Sequence, residues 1–466
     1  MELRIVVIGS GPGGYAAALE AARRGARVSL IERDAVGGTC LNWGCIPTKT
    51  WKSAAELAER LVRAEEFGVI IPGAPAIDLS RLLARKNMVV ETLRKGMLNR
   101  LREAGVQFLT GEASVPDPRT VRIRRPDGGT EEVSGDRLIL APGSSPAGCS
   151  AFPFDSARIL STNDALNLLK IPASVLIIGG GVNGCEFASI LAAFGSQVTI
   201  VEALPRLLPM EAIDAGTSHV VAREMKKRGI AVLLGRVVES AVSVEDRVRA
   251  LIAPAGSTPG EPVETVFDMV LVTVGRRPCF AGMGLERAGV RVDGAGWIEA
   301  NDRMETGVPG VYAVGDALGP SRVMLAHAAS AEGTVAAVNA LGGDMTMDYR
   351  AVPFAVFTSP EAAGVGLTEA QARAADPDTR AQTFFFRALG RAQAAGELAG
   401  HVKIISDAAG KILGVHIVGA HAAELIAEGT FALRMGATVE DLVTTIHAHP
   451  TFSEAVQEAA RTFTVP

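Results

Sequence analysis

One pattern occurs twice in this chain, and it limits the fold more than any other feature. The first copy reads Val6-Val7-Ile8-Gly9-Ser10-Gly11-Pro12-Gly13-Gly14, crosses a stretch of small residues and reaches Arg27-Val28-Ser29-Leu30-Ile31-Glu32. The second reads Leu176-Ile177-Ile178-Gly179-Gly180-Gly181-Val182-Asn183-Gly184 and reaches Gln197-Val198-Thr199-Ile200-Val201-Glu202. Each copy predicts a strand, a Gly-rich turn, a helix and a second strand closed by an acid, and in each the acid follows the first glycine by 23 positions. In a βαβ unit of this kind the first glycine makes the tight turn. The second lets the backbone approach a pyrophosphate, and the third lets helix and strand pack closely. The helix N-terminus offers free N–H groups and a positive dipole end to the phosphates, and the acid accepts hydrogen bonds from a ribose. A lone turn of this sort is weak evidence. Two copies with matched surroundings predict a chain that binds two dinucleotides. Beside Glu202 a 2′-phosphate would meet a like charge, at a cost on the order of 1–4 kcal/mol, which favours NAD over NADP. Arg206 lies close in sequence and works against this preference.

The length of 466 residues corresponds to about three domains at roughly 150 residues each. A net charge of −5 argues against nucleic acid or an anionic membrane as partner. The longest uncharged run, Leu138 to Phe154, is interrupted by Pro, Gly and Ser and does not read as a membrane span. A strand pattern begins at Leu3 with no export signal before it, so a cytoplasmic location is expected.

The five cysteines are Cys40, Cys45, Cys149, Cys185 and Cys279. They are too few for a disulfide-stapled scaffold, and no second Cys or His pair follows Cys40 and Cys45 at the spacing a zinc site needs. A single close pair is more often catalytic than structural. Spacing on one helical turn brings Cα atoms within the ~4.4–6.8 Å that a disulfide requires. A helix N-terminus and the nearby Lys49 are expected to lower the thiol pKa and favour the thiolate. Cys149, Cys185 and Cys279 are read as small buried hydrophobes with no redox role.

The segment Gly38-Thr39-Cys40-Leu41-Asn42-Trp43-Gly44-Cys45-Ile46-Pro47-Thr48-Lys49 closely resembles the redox signature of the class I pyridine nucleotide–disulfide oxidoreductases. The resemblance runs in order along essentially the whole chain. It implies an α/β fold of two Rossmann-like dinucleotide-binding domains followed by a C-terminal α+β dimerisation domain. The implied division is 1–147 for FAD, 148–276 for NAD, 277–345 for a return to the FAD domain and 346–466 for the interface domain. To FAD it assigns Gly9, Gly11, Pro12, Gly13, Gly14, Glu32, Arg33, Gly38, Thr39, Lys49, Ala113, Gly143, Asp316, Leu325 and Ala326. To NAD it assigns Gly179, Gly181, Asn183, Gly184, Glu202, Val237 and Gly275. It further implies that Cys40 exchanges with substrate, that Cys45 lies against the flavin, and that Lys49 sits near the flavin and pairs with Glu186. Two positions depart from the family pattern: Pro142 stands where Thr is usual, and Cys279 where Asn is usual.

Near the C-terminus, His447-Ala448-His449-Pro450-Thr451-Phe452-Ser453-Glu454 places a carboxylate five residues beyond a histidine, a spacing at which the acid can orient an imidazole base. In the family this base is carried by the position of His449, with Glu454 as its partner, and it serves the active site of the other subunit; a homodimer is therefore implied. His447 is the bland member of the segment. Among members of the family the redox segment is closest to that of the lipoamide enzymes. The chain ends Thr462-Phe463-Thr464-Val465-Pro466, without the Cys pair that closes mercuric reductases. The implied activity is oxidation of dihydrolipoamide on a lipoyl-bearing protein of a 2-oxo acid dehydrogenase or glycine cleavage complex, with reduction of NAD+. A reductase of another small disulfide, and a non-catalytic flavoprotein component of a complex, stay open beside it.

Overall fold

The computed structural model describes residues 2–73, 75–256 and 260–463; the tail 464–466 lies outside the described residues. It divides into two compact units, residues 1–50, 81–147 and 275–349 in one, and 51–80, 148–274 and 350–466 in the other.

The first unit is built on a five-stranded parallel sheet. Strand Arg4–Ile8 lies at its centre, between Arg27–Glu32 and Arg137–Leu140, with Gln107–Thr110 and Val311–Ala313 at the two edges. The three inner strands are near-continuous runs of Val, Ile and Leu because both their faces are buried, as in parallel sheets generally. Helix Pro12–Arg23 opens with proline in its first turn, where a missing N–H costs nothing. It buries Gly13, Gly14, Ala17, Ala18 and Ala21. That small-residue face allows helix Ala326–Ala340 to come very close: a Cβ on Gly333 would lie 2.2 Å from the Gly13 carbonyl oxygen. A small antiparallel sheet, Glu112–Asp117, Thr120–Arg124 and Thr130–Ser134, completes this unit's core.

The second unit repeats the plan. Strand Ser174–Ile178 is central, flanked by Gln197–Glu202 and Met269–Val272, with Ala231–Leu234 and Ile159–Leu160 outside them. In both sheets the chain turns to opposite sides of the central strand. This creates a crevice at the strand's C-terminal end, where open α/β sheets bind ligands. Both Gly turns stand at that point. The unit also contains an antiparallel sheet of five strands in the order Phe354–Val356, Glu361–Gly366, Ile412–Gly419, His401–Ser406, Arg380–Phe385. Helices Ala422–Met435 and Glu454–Arg461 each bury one face against it, Ala422, Ile426 and Ala432 from the first and Ala455, Val456, Ala459 and Ala460 from the second. No helix among the described residues is long and apolar enough to cross a membrane.

Candidate active site

The two Gly turns agree in detail, down to which glycine the fold itself demands. A Cβ on Gly9 would fall 2.2 Å from Ala141 O, and one on Gly14 1.9 Å from Gly9 O. In the second copy a Cβ on Gly179 would fall 2.9 Å from Thr273 O, and one on Gly184 2.0 Å from Gly179 O. Gly11 and Gly181 are different: a Cβ on either would meet no atom within 4 Å, and both have ordinary negative φ. The chain does not need glycine there for its own packing. What is kept bare is the space in front of the first turns of helices Pro12–Arg23 and Val182–Ala193, neither of which has a side-chain cap. Open backbone facing uncapped N–H groups is what a pyrophosphate requires, so the residues fit a dinucleotide in each unit.

The strand-end acids are also matched. Glu32 is 8% exposed and takes Ser10 N at 2.9 Å and Ser10 Oγ at 2.7 Å on one oxygen, with Asp34 N at 3.0 Å on the other. Glu202 is 7% exposed and takes Gly180 N at 2.7 Å and Leu204 N at 2.8 Å. Each carboxylate ties the Gly turn to its own strand and retains lone pairs for ribose hydroxyls. Arg206 does not compete for a 2′-phosphate, because its guanidinium donates to Met210 O and Ile213 O at 2.9 and 3.0 Å.

The other residues assigned to FAD collect around the first turn. Gly38, at φ +57°, packs so that a Cβ would lie 2.7 Å from Gly11 Cα, and Gly37 N donates to Ser10 O at 3.1 Å. Thr39 and Cys40 sit in the short helix Gly38–Asn42, and Cys45 is the first residue of helix Cys45–Val62, which also carries Lys49. Ala113 is buried in strand Glu112–Asp117, just after Gly111, whose N–H donates to Glu32 O. Exposed Arg33 reaches Cys279 O at 3.4 Å. Gly143 follows Pro142 at φ +73°, and Leu325 caps helix Ala326–Ala340, where His327 is exposed.

Asp316 is fixed by Ser144 Oγ at 2.6 Å and Arg276 Nε at 3.3 Å. The preceding N–H, on Gly315, donates to the fully buried Glu332 at 2.6 Å, and Tyr349 O–H donates to the other oxygen of Glu332 at 2.7 Å. Burial pushes the Glu332 carboxyl up and the Tyr349 hydroxyl further up. Among residues assigned to NAD, Asn183 is exposed on the first turn of its helix and Val237 lies in strand Arg236–Val244. Gly275 belongs to the first unit, where its carbonyl accepts from Ala147 N at 3.0 Å.

The expectation that surroundings lower the thiol pKa does not hold for Cys40. Both residues of the pair are thiols in this structure, and a hydrogen bond with Cys45 raises Cys40 first, with burial second; Lys49 pulls the other way and is outweighed. Once one thiol of such a pair has ionised, the hydrogen bond and the like charge hold the remaining proton, so they cannot both ionise easily. Cys45 opens the long helix Cys45–Val62, while Cys40 lies in the first turn of the five-residue helix Gly38–Asn42, which does not offset the hydrogen bond and burial. The reading of the remaining cysteines also needs correction: only Cys185 is fully buried, while Cys149 and Cys279 are half-buried. Cys279 donates its S–H to Pro142 O at 3.1 Å, so the two departures from the family pattern are in contact with each other.

His449 Nδ1 meets Glu454 Oε1 at 2.8 Å, and Glu454 Oε2 accepts Thr451 N at 2.8 Å. The imidazole is 78% exposed, so its other nitrogen is free to face a reactant. His449 holds the Glu454 carboxyl below the usual carboxylate range. The second histidine is less bland than its spacing indicates: His447 is nearly buried, with Nε2 on Glu428 at 2.7 Å and Nδ1 on Thr445 O at 3.0 Å. Glu186 is buried and accepts Phe357 N at 3.0 Å. Sequence reasoning missed Ser10, Asn42, Arg94, Glu332 and Glu428. Only Asn42, a polar residue between two cysteines, carried any local signal.

The family described as pyridine nucleotide-disulphide oxidoreductase matches residues 3–333, and its dimerisation domain matches residues 352–460. A dihydrolipoyl dehydrogenase of Thermus scotoductus is 43% identical over 98% of this chain and 96% of its own length. One from Bacillus subtilis is 38% identical over 98% of each chain. Among solved structures, LpdA from Mycobacterium tuberculosis aligns with TM-score 0.91 at 29% identity over 99% of both chains. The HOCl-induced flavoprotein disulfide reductase RclA from Escherichia coli aligns with TM-score 0.84 at 27% identity over 98% of this chain and 99% of that one. A thiol pair set beside one of two matched dinucleotide turns, in a chain that these comparisons cover almost from end to end, leaves one assignment: the chain belongs to the pyridine nucleotide-disulphide oxidoreductase family.

Proposed function

We propose that the protein is an FAD-dependent dihydrolipoyl dehydrogenase, oxidising dihydrolipoamide carried by a lipoyl-bearing protein of a 2-oxo acid dehydrogenase or glycine cleavage complex and reducing NAD+ to NADH. The observation that carries this reading is the Cys40–Cys45 contact, formed directly after the turn that packs on Gly11. The curated relatives named dihydrolipoyl dehydrogenase support it over nearly their full length.

In the oxidised protein Cys40 and Cys45 form a disulfide. His449, oriented by Glu454, takes the proton of one substrate thiol. The resulting thiolate attacks Cys40 Sγ, the Cys40–Cys45 bond breaks, and Cys45 leaves as a thiolate. The second substrate sulfur displaces Cys40, and the substrate departs as the cyclic disulfide, two electrons and two protons poorer. Cys40 leaves with the proton of that second substrate thiol, because Cys45 already carries the negative charge, favoured there by the helix N-terminus and by Lys49. FAD, when bound, supplies the ring that accepts the electron pair from the Cys45 side and delivers it as hydride to NAD+. Lys49 with Glu186 maintains the charge balance beside Cys45. Gly9, Gly11, Pro12, Gly13, Gly14, Glu32, Arg33, Gly38, Thr39, Ala113, Gly143, Asp316, Leu325 and Ala326 hold FAD; Gly179, Gly181, Asn183, Gly184, Glu202, Val237 and Gly275 hold NAD. The working form is a homodimer, in which His449 serves the partner's cysteines. The division 1–147, 148–276, 277–345 and 346–466 goes with that assignment. A cytoplasmic setting fits five cysteines that form no structural cross-link, since that compartment keeps thiols reduced.

The test is NADH formation from dihydrolipoamide by purified, FAD-loaded protein. Turnover with NAD+ is expected to exceed that with NADP+ and to fall at least about 1000-fold in Cys45→Ser, a loss typical of removing a covalent participant. A colourless holoprotein, or a serine variant as active as the parent, would refute the reading.

A further inference from the structure

Between the two cysteines in sequence stands a residue that the reaction does not use. Asn42 is 9% exposed, and its Nδ2 faces three main-chain oxygens: Gly38 at 2.8 Å, Val36 at 3.1 Å and Ala35 at 3.3 Å. An amide nitrogen only donates, so this set decides which way the side chain is turned, with Oδ1 on the opposite side. Oδ1 accepts Nε of Arg94 at 2.5 Å. Arg94 comes from helix Leu79–Glu103, 52 positions away, and its guanidinium also pairs with Glu91 at 3.9 Å. The oxygens held by Asn42 belong to the turn whose glycines rest on Ser10 and Gly11. One guanidinium thus secures, through a single amide, both the segment between the cysteines and the turn beside the first dinucleotide loop.

We propose that Arg94 is a positioning residue for the redox pair, acting through Asn42 to set how Cys40 and Cys45 lie relative to each other and to the first dinucleotide turn. A hydrogen bond from a charged donor is roughly twice as strong as a neutral one, and its loss leaves a buried amide oxygen unpartnered. The segment then relaxes. Thiol–disulfide exchange needs in-line approach to one sulfur, and displacement by about 1 Å costs up to ~100-fold in rate. This inference rests on the reading of Cys40 and Cys45 as the exchanging pair.

The experiment uses the full-length, FAD-loaded protein with Arg94→Ala, Arg94→Lys, Asn42→Ala and the Arg94→Ala/Asn42→Ala double variant. Three quantities are measured: bound FAD, kcat and KM for dihydrolipoamide, and the pH profile of Cys40 alkylation by iodoacetamide in the reduced protein. Arg94→Ala is expected to lower kcat about tenfold, with FAD content and the KM for NAD+ unchanged, and to move the alkylation profile. Arg94→Lys, which still donates to Oδ1, recovers at least half of the loss. The double variant is no worse than Asn42→Ala alone, since both changes break one connection. A parental kcat and alkylation profile in Arg94→Ala, or additive losses in the double variant, overturns the proposal. Should Arg94→Ala fail to fold, Arg94→Gln is read instead, and an unmoved alkylation profile there overturns it equally. A Cys45→Ser control separates the two failures. If the control still oxidises dihydrolipoamide, the functional reading falls; if the control is dead and Arg94→Ala is normal, only the role of Arg94 falls.

Discussion

His449 and Glu454 show how a single carboxylate gives a solvent-facing histidine a direction. The imidazole is mostly exposed, so packing cannot orient it; the 2.8 Å bond to Glu454 does, and Thr451 N–H fixes the carboxylate in turn. Glu454→Gln keeps the shape and removes the charge. kcat/KM for dihydrolipoamide is expected to fall about 100-fold while bound FAD is unchanged, measured by steady-state kinetics and flavin absorbance. The pH dependence follows from the sign of the shift. A carboxyl whose folded pKa is depressed contributes above the ordinary carboxylate range and is lost only as pH falls through the lower, folded value. The rate profile above about pH 5 should therefore carry no inflection from Glu454.

At the scale of the element, each Gly turn divides its glycines between two duties. Gly9 and Gly14 are fixed by backbone contacts within the fold, so replacing them damages the sheet–helix junction itself. Gly11 faces open space with an unstrained φ of −61°. Gly11→Ala is expected to fold with a Tm close to the parent's but to release FAD, a loss read as missing flavin absorbance after gel filtration. Gly181→Ala should retain FAD and raise the KM for NAD+ about tenfold or more. The interface strands carry a separate liability. His401, 5% exposed, and His416, fully buried, stand on neighbouring strands, and burial lowers both imidazoles, His401 to about 4. The unfolded chain binds a proton on His401 near pH 6.5 and the folded one does not, so stability is full above that pH and declines as pH falls toward 4. The His401 contribution at the acid end is about 3 kcal/mol. His401→Asn should flatten the fall of Tm between pH 6.5 and 4.5.

For the whole molecule, Phe431 and Met435 are one helical turn apart and 69% and 67% exposed, and Ile446, three residues before His449, is 95% exposed. All lie in the segment matched by the family's dimerisation domain. Large apolar side chains left bare in such a segment mark an interface. Phe431→Glu is expected to yield a monomer by sedimentation that holds FAD yet oxidises dihydrolipoamide at a few per cent of the parental rate or less, because in the proposed mechanism His449 then has no partner subunit to serve. The same segment shows where reading the sequence stops. The pairing of His449 with Glu454 is visible as spacing in one stretch of chain. The bond from His447 to Glu428 spans a loop and a helix, and nothing in the local pattern indicates it.

The order of strand, Gly turn, helix, strand and acid is written locally: backbone φ at a glycine and a short unbroken apolar run depend on near neighbours. That is why two dinucleotide sites and a reactive cysteine pair can be read without coordinates. Packing between distant segments decided the rest. It separated the glycines the fold requires from those a ligand requires, and it left Cys40 protonated against Cys45 where an isolated helix end would have favoured the thiolate. It also joined Arg94 to Asn42, Ser144 and Arg276 to Asp316, and Cys279 to Pro142. These contacts link residues 40 to 172 positions apart, and hydrogen bonds and burial act through space, whatever the separation along the chain.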